Sequence, residues 1–476
     1  MTIEATPRVN RVARADWGAT EFTDCQAPTL EIQQLRLGGP QCRISGAVFG
    51  GLTIDRVRAA AGACIIFSHC RFDGDVRLRG LTGLEGVIFS NCHVQGSLSF
   101  HDFDGALDAR SRIDLHDCSV QHQVLISSVS VGRISLEATR AWALNMDQSE
   151  ARERLAVARR CVIEAASRLS VAQGAQVRID DSDLMGRVKV SLGGGARLEV
   201  SEGRIQHLDV GPRGPDSRGA ALRVKDSTIE TLVVSGLREV GEVALVDSAF
   251  PREVRLDVES YAADSRIEIT GVKDWGALAL QGPEPPEMAL SGAPPSQCAL
   301  DPRVAETLKR RTRRTLAPEI SGLLEQHFSK LHAFGDLDDV QYRHNLNMAR
   351  ARLGAARRPG PWLGRALALF LKGYVYGYGV RLTNQLLTLA GLTLLVGGLA
   401  ILGRHDQTAW FFKAQAAGRP ALELAASMLL LVAVGPGGPW GAGTPLSVPA
   451  LVVIEVLRVV AFLTLSATII RKIART

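Results

Sequence analysis

The first 290 residues carry a repeated pattern of hydrophobic and polar positions. A small residue is followed by hydrophobic residues two, six and eight positions later. In the segment that begins at Cys70, these are Phe72, Val76 and Leu78. Six segments show the full pattern, and they begin at Gly46, Cys70, Cys92, Cys118, Ser182 and Ser248. Two shorter copies begin at Gly203 and Ser227, and weaker copies lie near Ala138 and Cys161.

This spacing is typical of strands separated by bends. Hydrophobic residues two apart point to the same face of a strand, and the skip of four between the pairs marks a bend. One such turn cannot bury its inward face alone, so successive turns must stack. The pattern therefore predicts a parallel β-helix, or β-solenoid, of roughly ten coils. Stacking would align Cys70, Cys92 and Cys118 in an internal ladder of core thiols.

The composition changes after the repeats. Residues 282–296 are rich in proline and small residues, which predicts a linker. Asp301 and Pro302 are typical of a helix start, with the aspartate as N-cap. The segments 319–334 and 336–353 predict two amphipathic helices with a turn at Gly335.

A basic and aromatic segment comes next. Residues 363–381 fit a helix that lies in a membrane interface. The basic residues proposed to face lipid are Arg357, Arg358, Arg365, Lys372 and Arg381.

The last hundred residues predict two membrane spans. Residues 382–403 carry no charge, and residues 448–470 are interrupted only by Glu455 and Arg458. Basic residues flank the pair on both sides, which predicts that both termini are cytoplasmic and that the membrane is the cell's inner (plasma) membrane. Between the spans, residues 421–434 are apolar and a glycine-rich stretch follows. This arrangement favours a half-helix followed by a loop that lines a pore.

The order of span, pore helix, glycine loop and span resembles the two-transmembrane, pore-loop potassium-channel family. More closely, it resembles bacterial proteins that join a pentapeptide-like or β-helical repeat domain to such a pore. The resemblance covers about residues 320–476 and implies a homotetramer. The positions that match the family's filter are Ala433, Val434, Gly435, Pro436 and Gly437. Ala433 lacks the family's hydroxyl ligand and Pro436 replaces its aromatic residue, so the motif is degenerate.

Charge and cysteine usage narrow the classes of function. Residues 1–300 contain 33 basic and 39 acidic residues, whereas residues 301–381 contain 15 and 7. The high isoelectric point comes from the neck and tail, so we expect no nucleic acid partner. The eight cysteines form no CxxC pair, and the chain start has no signal-like apolar run. We expect free thiols in a reducing compartment, without a metal or cofactor.

The sequence predicts three regions: a cytoplasmic β-solenoid at 1–290, a basic helical neck at 300–381 and a pore domain at 382–476. We expect a cation channel that passes monovalent cations and contacts membrane lipids. Its solenoid would sense an unknown ligand or protein, and Glu455 and Arg458 would support the pore or its gating. The alternatives are a non-conducting membrane-anchored scaffold and a defence effector that permeabilises the membrane.

An enzyme built on the solenoid is the least favoured class. Its best acidic candidate is the run Asp180, Asp181, Ser182 and Asp183, which is also typical of a solvated turn. The histidines of the repeats share no ligand spacing, and they are His69, His93, His116, His122 and His207.

Overall fold

The computed structural model divides the chain into two compact units, residues 1–307 and 308–476. Each unit is described on its own. The structure describes residues 10–17, 21–104, 110–148, 155–215, 217–283, 287–292, 297–311, 318–354, 359–369, 386–387, 390–391, 393–395, 398, 401–402, 419–434 and 446–473.

The first unit is a β-solenoid of about 12 turns, which confirms the predicted fold of the repeats. Its strands pair in parallel, each with the strand one coil earlier and one coil later. The first fifteen strands are β1 (Asn10–Val12), β2 (Ala15–Trp17), β3 (Glu21–Thr23), β4 (Gln26–Ile32), β5 (Leu35–Leu37), β6 (Gln41–Ser45), β7 (Val48–Ser68), β8 (Arg71–Phe72), β9 (Val76–Ser90), β10 (His93–Val94), β11 (Leu98–Asp104), β12 (Arg112–His116), β13 (Ser119–Ser130), β14 (Arg133–Glu137) and β15 (Arg140–Gln148).

The same arrangement continues to the end of the unit. The remaining strands are β16 (Leu155–Arg159), β17 (Val162–Ile163), β18 (Ser167–Val171), β19 (Gln176–Asp180), β20 (Asp183–Leu192), β21 (Arg197–Ser201), β22 (Arg204–Pro212), β23 (Ala221–Lys225), β24 (Thr228–Leu237), β25 (Val240–Val246), β26 (Ala249–Val258), β27 (Tyr261–Val272), β28 (Asp274–Gln281), β29 (Glu287–Gly292) and β30 (Gln297–Leu300). The ladders therefore run through the proline-rich stretch to Leu300, ten residues beyond the predicted end of the solenoid.

Each coil turns at a corner that precedes the small residue. The corner residue adopts a left-handed backbone conformation, as at His69 (φ 52°) and Asp117 (φ 49°). The register pairs Phe49 with Phe72, which places Ala47 rather than Gly46 beside Cys70 in the ladder. The sequence prediction was one residue out in this coil, because Gly46 (φ 64°) occupies the corner itself.

The small residues form the predicted internal ladder, and hydrogen bonds link its members to the backbone. The Cys118 thiol donates to the carbonyls of Phe89 in the preceding coil and of His116 in its own coil, at 3.5 and 3.3 Å. Ser182 makes the equivalent bonds to Ala158 and Asp180, and it also accepts from the amide of Cys161. The ladder therefore satisfies polar backbone groups at the corners as well as filling space.

All eight cysteines are free thiols, and all except Cys25 are buried. Burial raises the pKa of the Cys42 and Cys161 thiols to about 11. These thiols therefore stay protonated at neutral pH, and they act as packing groups.

Aromatic side chains fill the core of the coils between residues 48 and 104. The rings of Phe67 and Phe89 stack with centroids 4.6 Å apart, and Phe100 meets Phe89 edge-on at 6.0 Å. Phe72 lies against both Phe67 and Phe89. All four side chains are fully buried, so this stack is the densest apolar part of the solenoid.

Helix α1 (Pro302–Arg311) begins where the sequence predicts. The amide of Arg303 donates to the Asp301 carboxylate at 2.8 Å, which makes Asp301 the N-cap. The predicted pair of amphipathic helices is α2 (Pro318–Lys330) and α3 (Phe334–Gly354). The turn between them comes earlier than predicted: His332 adopts φ 54°, and Gly335 is already helical.

The remaining helices are α4 (Pro359–Ala368), α5 (Ala421–Val434) and α6 (Val448–Ile473). Helix α5 has the bounds predicted for the pore helix, and α6 covers the predicted second span. In the described part of the chain, however, we find no helix that combines the length and the apolar character needed to span a bilayer. The two-span pore domain is therefore without support from the fold.

Candidate functional site

The largest concave surface of the solenoid is a groove of about 1040 Å³. It crosses the coils that contain β13, β15, β18, β20, β22 and β24 on their outward side. Its floor is a column of residues in ladder register: Leu125, Asn145, Arg168, Lys189, Asp209 and Val233. Small residues beside this column leave the depression, and they include Ser127, Ala166, Ser170, Gly211 and Ser235. The groove is thus open over several coils and has a charged centre.

Ion pairs hold one side of this groove. Asp209 accepts from Arg187 at 2.5 Å and lies 2.8 Å from the ring nitrogen of His207, and it is only 16% exposed. Arg213, which follows β22, reaches back to Asp147 at 2.9 Å, although the two residues are 66 apart in the chain. These contacts fix the edges of the groove, because each joins different coils or anchors a side chain within one.

Two cations lie in the centre of the floor without a carboxylate partner. Arg168 and Lys189 face each other across the β18–β20 ladder, and both are exposed. Neither forms an ion pair with any residue in the described ranges. Like charges directly opposite each other destabilise a sheet. Such a pair makes this floor suited to an anionic group of a ligand or partner.

The acidic run considered as an enzyme site does not form a cluster. Ser182 points inward as part of the ladder, Asp181 occupies a corner (φ 46°), and Asp180 accepts from the hydroxyl of Ser201. The run therefore forms a coil corner. His116 contacts Asp117 and Glu137 at 3.0 and 3.6 Å. Across the described ranges, no three His, Cys, Asp or Glu side chains lie close enough to hold a metal ion.

The residues predicted to form the pore loop are only partly placed. Ala433 and Val434 are the last two residues of α5. Gly435, Pro436 and Gly437 lie outside the described residues.

Of the basic neck residues, one is placed. Arg365 is exposed on α4 and donates to the carbonyl of Arg352 at 2.7 Å. The structure does not describe Arg357, Arg358, Lys372 or Arg381.

Glu455 and Arg458 meet on α6, as their spacing of three residues predicts. Arg458 donates through two nitrogens to the two carboxylate oxygens of Glu455, at 2.9 and 2.6 Å. A bidentate pair of this kind neutralises both charges locally and satisfies most of their hydrogen-bonding capacity.

Comparison with known proteins gives no further assignment, because no family model, curated protein or solved structure matches the chain. The resemblance to the pore-loop family rests on the quoted residues alone.

Proposed function

We propose that this chain is a membrane-associated cation channel, formed by four copies, in which the β-solenoid recognises a ligand or a protein partner. The observation that carries the proposal is the apolar surface of α6. Val452, Val456, Phe462 and Ile470 have exposed fractions between 56 and 66%. A soluble monomer seldom leaves so much contiguous apolar surface in water, and lipid or further copies of the chain would cover it.

The packing of α5 supports a role against α6. Leu424, Met428 and Leu431 lie on one face of α5 and are buried, as are Ala450 and Ile454 on α6. Leu422, on another side of α5, is 86% exposed. The two helices thus share a sequestered face and leave apolar side chains outside it, which suits assembly of several copies in a bilayer.

The Glu455–Arg458 pair supports the same reading. Charged side chains inside a span are costly, by about 2.5–3.5 kcal/mol each on insertion scales, unless they face a partner or water. Their mutual bidentate contact supplies that partner. We assign the pair to the support of the pore or its gating.

Ion flux in liposomes reconstituted with the full-length chain tests the proposal. We expect cation flux in wild type and altered flux in Glu455→Gln, with unchanged assembly by cross-linking. Absence of current under all ionic conditions, together with flotation of the chain with the vesicles, would instead identify a membrane-anchored scaffold. Recovery of the chain entirely in the vesicle-free fraction would refute both.

The filter positions favour weak selectivity. Ala433 removes the hydroxyl ring of the family's filter, and Pro436 removes a backbone donor and fixes φ near −65°. We propose that sodium and potassium both permeate. A reversal potential under sodium/potassium bi-ionic conditions tests this directly, and a large shift towards potassium would contradict it.

The groove is proposed as the recognition surface of the solenoid. If Arg168 and Lys189 are kept together for a ligand, their repulsion is a cost to folding. Arg168→Gln should then raise stability by about 0.2–1 kcal/mol in urea unfolding. Arg187→Gln is the matched control, since it breaks the contact to Asp209 and should lower stability. A loss of stability in Arg168→Gln would show that this cation has a structural role.

A further inference from the structure

A second cavity, of about 600 Å³, lies on the first three coils and is lined by four arginines. These are Arg14, Arg36, Arg56 and Arg58, and all four are exposed. The other lining residues that reach the surface are small or neutral, such as Gln34, Gly38 and Ala59. The volume lies within the usual range of small-molecule sites, about 300–1,000 Å³.

Stacking of the coils brings these arginines together. Arg36 in β5 is directly opposite Arg58 in β7, and adjacent strands lie about 4.8 Å apart. Arg14 immediately precedes β2, which pairs with β5 on its other side. The four cations thus come from three successive coils and border one cavity.

The backbone at Arg56 is held in an unfavourable conformation. Its φ is 60°, in the left-handed region that favours glycine, and the next coil has Gly80 (φ 62°) at the equivalent position. A long cationic side chain is therefore retained where the fold prefers a residue without a Cβ atom. Such a conformation in a residue that lines a cavity points to a role of the side chain.

The arginines of this cavity are uncompensated, unlike their neighbours. Arg11 pairs with Glu31 at 2.8 Å, Arg77 with Asp75 at 2.7 Å and Arg79 with Asp102 at 3.2 Å. None of the four cavity arginines forms an ion pair or side-chain hydrogen bond within the described part of the chain. Even Asp16, which is opposite Arg36 in the ladder, makes no ion pair with it.

We propose that this cavity binds a compact, soluble ligand that carries two or three linked phosphoryl groups. The guanidinium group matches the geometry of phosphoryl oxygens through bidentate hydrogen bonds. Each phosphoryl group carries about −1.5 to −2 charges at neutral pH, so two or three of them balance four arginines. A single carboxylate would leave most of this charge uncompensated. The lining offers no aromatic ring for stacking, so recognition rests on the phosphoryl groups. This site does not depend on the proposed membrane function.

Isothermal titration of the full-length chain with inorganic tripolyphosphate, pyrophosphate and orthophosphate tests the proposal at constant ionic strength. We expect one site per chain, with tripolyphosphate bound at least about tenfold more tightly than orthophosphate. Arg58→Gln should weaken tripolyphosphate binding by at least about tenfold, because it removes a charge-assisted contact. Arg56→Gly should do the same while it relieves the strained backbone, so its loss of binding cannot be attributed to unfolding. Arg223→Gln, an exposed arginine paired with Glu242 in a distant coil, is the control and should bind as wild type does.

Two results would overturn the proposal. One is the absence of tripolyphosphate binding at millimolar concentration. The other is binding that Arg56→Gly and Arg58→Gln leave unchanged. A second arm replaces the soluble probe with phosphatidylcholine vesicles that contain phosphatidylinositol bisphosphate. If Arg58→Gln weakened attachment to these vesicles while wild type bound no tripolyphosphate, the phosphoryl groups would belong to a lipid headgroup, and the soluble ligand would be rejected.

Discussion

Replacement of Phe89 by alanine tests how the solenoid is held together. Phe89 is fully buried, stacks on Phe67 at 4.6 Å and meets Phe100 edge-on at 6.0 Å. In the ladders it is opposite Phe67 in β7 and Leu115 in β12. Truncation to alanine removes the ring and leaves a cavity between rigid coils.

The expected loss of stability is about 3–5 kcal/mol, most of it from the transfer of the ring and the cavity left behind. The specific ring–ring contacts contribute a smaller part, about 0.5–1.5 kcal/mol per pair. Phe89→Leu separates these terms, because it keeps most of the volume and loses the aromatic contacts. We expect it to cost less than about 1.5 kcal/mol.

Hydrogen exchange of the full-length chain, followed by mass spectrometry, is the appropriate assay. A stacked repeat transmits a perturbation mainly to its neighbours, so a single unfolding midpoint would hide where the loss occurs. Amides in 64–68, 86–90 and 112–116 should lose protection. Amides in 242–246 should keep theirs within about 0.5 kcal/mol. Equal losses in both regions, or a loss below about 1 kcal/mol in the mutated coils, would refute the nearest-neighbour argument.

Three further outcomes follow from the same structure. The pKa of the Cys161 thiol is raised to about 11 from a model value of 9.0, so its contribution to stability is complete below pH 9 and is lost as the pH rises towards 11; urea midpoints should fall in this range, and less steeply in Cys161→Ser. Gly276→Ala should destabilise the solenoid by about 1–3 kcal/mol in urea unfolding, because the added Cβ would lie 1.8 Å from the carbonyl oxygen of Arg252, whereas Gly211→Ala, whose nearest contact is at 3.5 Å, should change stability by less than about 0.5 kcal/mol. Glu455→Gln should alter ion flux and leave assembly intact, and wild-type flux in an assembled variant would remove its proposed role.

The solenoid could be predicted because its information is local and repeated. A small residue at each corner and hydrophobic residues at fixed offsets recur often enough to reveal the stacking, and Cys70, Cys92 and Cys118 occupy the positions expected of them. Errors arose where several residues satisfy the same pattern. Gly46 and Ala47 are both small, and only the register between coils shows that Ala47 belongs to the ladder.

The two charged surfaces could not be predicted so easily, since they depend on which outward residues stack. Arg14, Arg36 and Arg58 recur at intervals of 22 residues, which equals the repeat length, and this was a signal that the inward pattern concealed. Arg56 gave no such signal, because its importance rests on a backbone conformation. The Glu455–Arg458 contact, in contrast, was predictable because helical spacing alone brings the two side chains together.

The architecture limits how a ligand in the arginine cavity can influence the rest of the chain. Its residues lie on the first three coils, whereas the last strand ends at Leu300. Since each coil contacts only its neighbours, a small distortion at one end decays along the stack. A terminal coil is different, because it has a neighbour on one side only, and β1, β2 and β3 are short strands of three residues each. A ligand that joins Arg14 to Arg36 and Arg58 would tie this first coil to the next two. Its effect is therefore that of a cap, which favours the docked terminal coil over the frayed one, and a two-state element of this kind can report binding without deformation of the whole solenoid.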